Sequence, residues 1–281
     1  MSREEQLQWE ARWARPAAGA AFLAGALLLV SALLFFPKDR EGIERNPDLL
    51  LSIDEQSGGY LASAVLSAIA ALLLIGVFLY LFRATLARGG GVPSWFVYLV
   101  VAAPILYAVS TVAGAFEAID LGDEFASGEP IRGEAGEDRA TELGGTSAGL
   151  VALATAGTVG VAFLFVMLPL RARRVGLLSP FMGILGVIAG ALVVFQLTGV
   201  SSVIQAFWLG ALGMLFLGNW PGGRGPAWES GQAEPWPSAA QKRGLAPMPG
   251  QEEEPTLDPT PPEPEPVPER PASRKRRRKK P

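Results

Sequence analysis

Residues 175–223, VGLLSPFMGILGVIAGALVVFQLTGVSSVIQAFWLGALGMLFLGNWPGG, run for 49 positions without an Asp, Glu, Lys or Arg. As one continuous helix at ~1.5 Å per residue the stretch would reach about 73 Å. The hydrocarbon core of a bilayer is only ~30 Å thick, so such a run must fold back within it. A polar dip at Gln196, Thr198, Gly199, Ser201 and Ser202 places the turn. The expectation is a helical hairpin with both ends on one side, Arg171, Arg173 and Arg174 before it and Arg224 after it. This points to a multi-pass helical membrane protein and says nothing of a reaction or a cargo.

The rest of the chain follows the same rule. Charged residues fall in short islands and a tail, and the stretches between them are apolar on every side, whereas a soluble amphipathic helix keeps a polar stripe. The expected fold is all-α, a six-helix transmembrane bundle with a disordered cytoplasmic tail. Its spans fall at 17–36, 60–82, 94–116, 143–170, 177–197 and 200–217, within a transmembrane domain 17–219 preceded by a cytoplasmic segment 1–16. Pro16 opens the first span, since Pro is tolerated in a first helical turn. The 20 apolar residues after it exceed the ~7–15 of a signal-peptide core, so an uncleaved signal anchor is expected. Between the first two spans, Asn46-Pro47 reads as a helix start, and residues 48–56 as a short interfacial helix. Pro104 removes a backbone hydrogen bond inside the third span. Residues 117–142 carry nine acidic residues against Arg132 and Arg139, and with their Gly and Pro content read as a loop without a folded domain.

Orientation follows from Lys and Arg. Arg3, Arg12, Arg15, Arg83, Arg88, Arg171, Arg173 and Arg174 flank one side, against Lys38, Arg40, Arg45, Arg132 and Arg139 on the other, eight to five before the tail is counted. The positive-inside rule places both termini in the cytoplasm. Residues 220–281 form the tail, where 15 of 62 positions are Pro, a disordered composition. An acidic block at 251–269 precedes seven cations in a row: Arg274, Lys275, Arg276, Arg277, Arg278, Lys279 and Lys280. Beside a membrane, anionic lipid headgroups are the nearest partner for that run, and no nucleic-acid partner is expected.

Cysteine and histidine are both absent, which removes thiolate chemistry and the commonest general base and transition-metal ligand. No catalytic, cofactor-binding or metal-binding residue is expected. None of the six spans holds an ionisable Asp, Glu, Lys, Arg or His, the usual mark of a transport or proton pathway. Thr155, Thr158, Gln196 and Gln205, with Ser110, remain as a narrow polar path, the basis of an alternative reading as a small-solute transporter or channel. Bonding between helices is the simpler role for them. Asp120, Asp123 and Glu124 lack the spacing of an EF-hand loop and read as a solvated cluster. Trp95 and Trp220 read as interfacial anchors, because indole favours the headgroup level; Trp228 and Trp236 could fold the early tail back along the cytoplasmic face. Small-residue stripes (Ala148, Ala152, Ala156, Gly160; Gly145, Gly149; Gly186, Gly190; Ser63, Ser67, Ala71) permit close helix approach. Packing within the bundle is their first reading and a homo-oligomer face the second.

The strings SPFMGILGVIAGALVV and VIQAFWLGALGMLFLGNWPGGRGPAWESGQAEPWPSAA, with LASAVLSAIAALLLIGVFLYLFRAT in the second span, resemble a family of uncharacterised bacterial multi-pass integral membrane proteins. The resemblance extends over most of residues 49–240 and is most specific at RVGLLSPFMG and the Trp-Pro-Gly-Gly segment. It implies an inner-membrane protein and assigns no activity. The functional expectation is a non-enzymatic membrane protein whose cytoplasmic tail engages anionic lipid or a partner.

Overall fold

Ser2 and Glu5 open the first helix by capping each other. The Glu5 carboxylate accepts from the Ser2 N–H at 2.7 Å, and the Ser2 hydroxyl from the Glu5 N–H at 3.2 Å. This reciprocal box satisfies two orphan donors of a helix start, and α1 (Arg3–Leu34) runs 32 residues from it. Pro16 therefore lies inside α1 rather than at its first turn. At ~1.5 Å per residue α1 is about 48 Å long, so its polar first turns stand beyond the ~30 Å hydrocarbon layer.

The computed structural model describes residues 2–34, 46–128, 134–143, 147–195, 200–221 and 223–237. Among them every element is helical: α2 (Asn46–Glu55), α3 (Ser57–Ala87), α4 (Phe96–Ser127), α5 (Glu134–Glu142), α6 (Ala148–Arg174), α7 (Pro180–Phe195), α8 (Val200–Phe216) and α9 (Pro226–Ser230) follow α1. All belong to one compact unit, Met1–Trp236. Four of the described helices, α1, α3, α4 and α6, are long and apolar enough to cross a membrane, and α7 and α8 are shorter apolar helices of 16 and 17 residues. Gln196, Thr198 and Gly199, where the hairpin turn was placed, lie outside the described residues, as do Lys38, Arg40, Arg45, Arg132, Gly145 and residues 238–281 with their acidic block and cationic run.

Helix limits depart from the apolar limits in a consistent way, because a helix continues wherever its next turn has something to rest on. The segment 117–142, expected as a loop, is largely helical. α4 continues to Ser127, with Gly122 and Phe125 buried, and α5 follows. α2 lies across this extension so closely that a Cβ on Gly122 would sit 3.0 Å from the Leu50 carbonyl oxygen. The expected helix after Asn46-Pro47 is thus present, with Ile53 buried at its centre.

The bundle packs through small residues. α1 buries Ala14, Ala17, Ala18, Ala21, Ala24 and Gly25 against α3 and α8. A Cβ on Gly25 would stand 3.1 Å from the Ala206 carbonyl oxygen. α6 meets α4 where a Cβ on Gly157 would be 2.5 Å from the Tyr107 nitrogen, and α7 where one on Gly190 would be 2.9 Å from the Ala162 carbonyl oxygen. Such contacts supply dispersion where lipid removes any hydrophobic drive between helices. Gly160, Gly186 and Gly190 of the expected stripes are buried inside the bundle, while Ala148, Gly149, Ala152 and Ala156 face outward. Trp208 ties α8 to α7 by donating its indole N–H to the Met182 carbonyl at 3.0 Å.

Candidate functional site

The start of α1, the end of α3, the α6–α7 turn and the segment after α8 meet at one end of the bundle. Arg88 is the joint. It caps α3, and the chain reverses just beyond it, where Gly89 takes φ +69°. Its side chain is fully buried, and Glu10 on α1 is 3% exposed at the side chain. The guanidinium grips the Glu10 carboxylate with both terminal nitrogens, Nη1 to Oε1 at 2.5 Å and Nη2 to Oε2 at 2.9 Å. Nη1 also donates to the Ala84 carbonyl and Nε to the Ala227 carbonyl, each at 2.8 Å. Gln6, one turn before Glu10, donates to the same carboxylate at 2.8 Å. A forked, charge-assisted pair of this kind is roughly twice as strong as a neutral hydrogen bond. Burial makes it conditional, because either ion left alone would be stranded in low dielectric.

Around this pair stands an aromatic stack. Tyr80 on α3 lies parallel to Trp9 at 5.7 Å and to Trp228 at 5.6 Å, and meets the edge of Phe216 at 4.7 Å. Arginines close both ends of the row: Arg83 over Trp9 at 5.3 Å, and Arg224 over Trp228 at 5.0 Å. Each such cation–ring contact contributes about 0.5–2 kcal/mol, depending on desolvation. The Trp228 indole donates to the Leu177 carbonyl at 2.9 Å, and the Glu234 N–H to the Val175 carbonyl at 3.3 Å. Gly176, at φ +79°, leaves the space through which residue 234 passes; a side chain there would meet the Glu234 carbonyl oxygen.

Residues 223–236 are therefore docked on the bundle, with Trp228 3% exposed and Trp236 against the core. The sequence reading starts the disordered tail at 220. The docked segment differs because Arg88, Tyr80 and the Leu177 carbonyl give it bonds that no local pattern reveals. Chemically, the bonds of the Glu10–Arg88 pair join α1, the end of α3 and the segment after α8, so the pair holds these segments together.

The residues expected to form a polar path lie on α4, α6 and α8 where they are described. Thr155 is exposed and donates to Val151 on its own helix at 2.7 Å. Ser110 and Thr111 likewise bond the Tyr107 carbonyl of their own helix. Thr158 is on α6 and Gln205 on α8, while α7 packs against both of these helices. Trp95 is 59% exposed beside the start of α4, and Trp220 is half-buried against the core. Asp120, Asp123 and Glu124 lie on the α4 extension, and no three His, Cys, Asp or Glu residues converge on a metal-sized site among the described residues. Sequence reasoning assigned Arg88 only to topology and gave Glu10 no role; their 78-residue separation carries no local signal. Comparison with protein-family models, with curated proteins and with solved structures yields no match to this chain.

Proposed function

We propose that this chain is a non-enzymatic, six-span protein of the bacterial inner membrane, of the family its hairpin sequence resembles. Its bundle fixes the point at which a cytoplasmic tail leaves the membrane surface, and the tail engages anionic lipid through residues 274–280. One observation carries the reading: Arg88 holds the N-terminal helix and the segment after α8 in a single fork. That puts both flanks of the bundle at the end bearing Arg3, Arg12, Arg15, Arg83, Arg171, Arg173, Arg174 and Arg224. A cytoplasmic assignment for that end follows the positive-inside rule. α7 and α8 are about 24 and 26 Å long at ~1.5 Å per residue, and the uncharged residues flanking each extend the hairpin toward a full crossing.

The absence of native cysteine makes the test direct. Single cysteines at Gly89, Arg174 and Trp236 should react with an impermeant maleimide only after permeabilisation, and one at Ser127 without it. The same preparations, in neutral nanodiscs, should bind phosphatidylglycerol vesicles through the tail, with affinity that falls as salt rises and is lost on deleting 274–280. Labelling of Trp236 from outside overturns the topology, and salt-independent vesicle binding overturns the lipid role.

A further inference from the structure

A cleft of about 270 Å³ opens between α1 and α3 beside the aromatic stack. Trp9, Trp13 and Pro16 line it from α1, and Gly76, Leu79 and Arg83 from α3. On each helix these positions repeat at three or four residues, the spacing of one face. Trp9 and Arg83 lie at the charged end, while Pro16 and Gly76 are seven residues further into the bundle, about 10 Å at ~1.5 Å per residue. The cleft therefore runs from a cationic rim to an apolar floor, along the two helices.

We infer that it is a binding site for one glycerophospholipid of net negative charge, distinct from the tail. Arg83 is exposed and, among the described residues, has no carboxylate partner and no hydrogen bond; its guanidinium rests on the Trp9 ring. It is a cation without a counter-charge, matched to a phosphate at headgroup level. The indoles point the same way. Trp208 and Trp228, which hold the fold together, spend their N–H groups on carbonyls, whereas those of Trp9 and Trp13 donate to nothing among the described residues. Trp9 lies under the guanidinium and Trp13 lines the cleft one turn further along α1, the depth at which ester oxygens of a lipid would lie. Gly76 has no side chain to fill the floor, and its nearest neighbour across the helix pair is the Ala20 Cβ, 3.9 Å from where its own Cβ would be. The volume lies just under the ~300 Å³ at which pockets begin to enclose a whole drug-sized ligand. It suits the glycerol region and the upper part of one acyl chain, the remainder staying in the bilayer. A free inorganic anion would find one guanidinium and an apolar wall.

The proposal rests on the charged end lying at the headgroup level and on nothing about the tail. The test uses full-length chain in detergent, with and without residues 274–280, titrated with phosphatidylglycerol or phosphatidylcholine and read by native mass spectrometry. Wild type should retain one phosphatidylglycerol in preference to phosphatidylcholine, whether or not 274–280 is present. Arg83→Gln should weaken that retention about fivefold, the effect of one cation near an anionic headgroup, and Arg83→Lys should restore most of it. Gly76→Leu, which fills the floor from a lipid-facing position, should abolish retention of either lipid while leaving the melting temperature unchanged. Equal retention of the two lipids by wild type, retention unaffected by both Arg83→Gln and Gly76→Leu, or retention lost only with 274–280 would each overturn the site.

Discussion

At the charged end of the bundle an arginine is buried with every bond made inside the chain, whereas at the opposite end charged side chains sit in water and lean on whatever is near. There, Glu117 accepts from the Ser147 hydroxyl at 2.9 Å and from the Ser147 N–H at 3.2 Å, an exposed brace at the start of α6. Arg139 rests over the Phe125 ring at 5.3 Å and reaches the Glu124 carbonyl at 3.3 Å. The two ends use the same residue types under different dielectric conditions. In the buried setting the partners are mutually obligatory; in the exposed one water stands ready to replace either.

That contrast can be broken most severely at Arg88. Arg88→Met leaves Glu10 buried without its counter-ion and should cost about 3–5 kcal/mol, read as a fall in the thermal unfolding midpoint in detergent. Adding Glu10→Leu should recover a large part of the loss, since an apolar pair of similar volume is often as stable as the buried ion pair. If the double variant is as unstable as the single one, the pair is not an obligate unit.

A smaller effect is expected at Gly176, where left-handed backbone and the passage of residue 234 coincide. Gly176→Ala carries a conformational penalty of ~1–2 kcal/mol and should release residues 224–236 while sparing the helices behind them. Trypsin should then cut at Arg224 faster, with little change in the melting of the bundle; unchanged cleavage would show that docking does not depend on that turn.

The smallest effect belongs to the wet end. Arg139→Ala should cost at most ~1 kcal/mol, the scale of exposed charge and ring contacts, and should fade in salt. A loss comparable to that of Arg88→Met would erase the distinction between the ends.

The parts of this architecture legible in sequence are those that lipid imposes. Charge-free runs exist because ionisable groups are costly in hydrocarbon, so the apolar cores of α1, α3, α4, α6, α7 and α8 could be read directly. Helix ends obey other physics. The Ser2–Glu5 box is a readable signal four residues long, and it sets the start of α1 well before the apolar run at Ala17. The extension of α4 past Glu117 has no such local mark; it depends on α2 covering Gly122. The site was legible only in fragments. Tryptophan spacing suggested that the early tail folds back, but the acceptor of the Trp228 indole is the Leu177 carbonyl, 51 residues away, and main-chain acceptors leave no trace in side-chain identity.

The third bond of the Arg88 fork, Nε to the Ala227 carbonyl, carries a consequence for how the chain is made. Synthesis runs from the amino terminus, so Glu10 and Arg88 can meet as soon as α3 is inserted, while the acceptor for Nε does not yet exist. Until residue 227 arrives, Nε lacks that acceptor and Arg88 lacks the Trp228 ring that covers it. Closure of the fork thus registers that the last helices have been delivered. A product terminated within α8 retains the four long apolar helices among the described residues and still cannot close the fork.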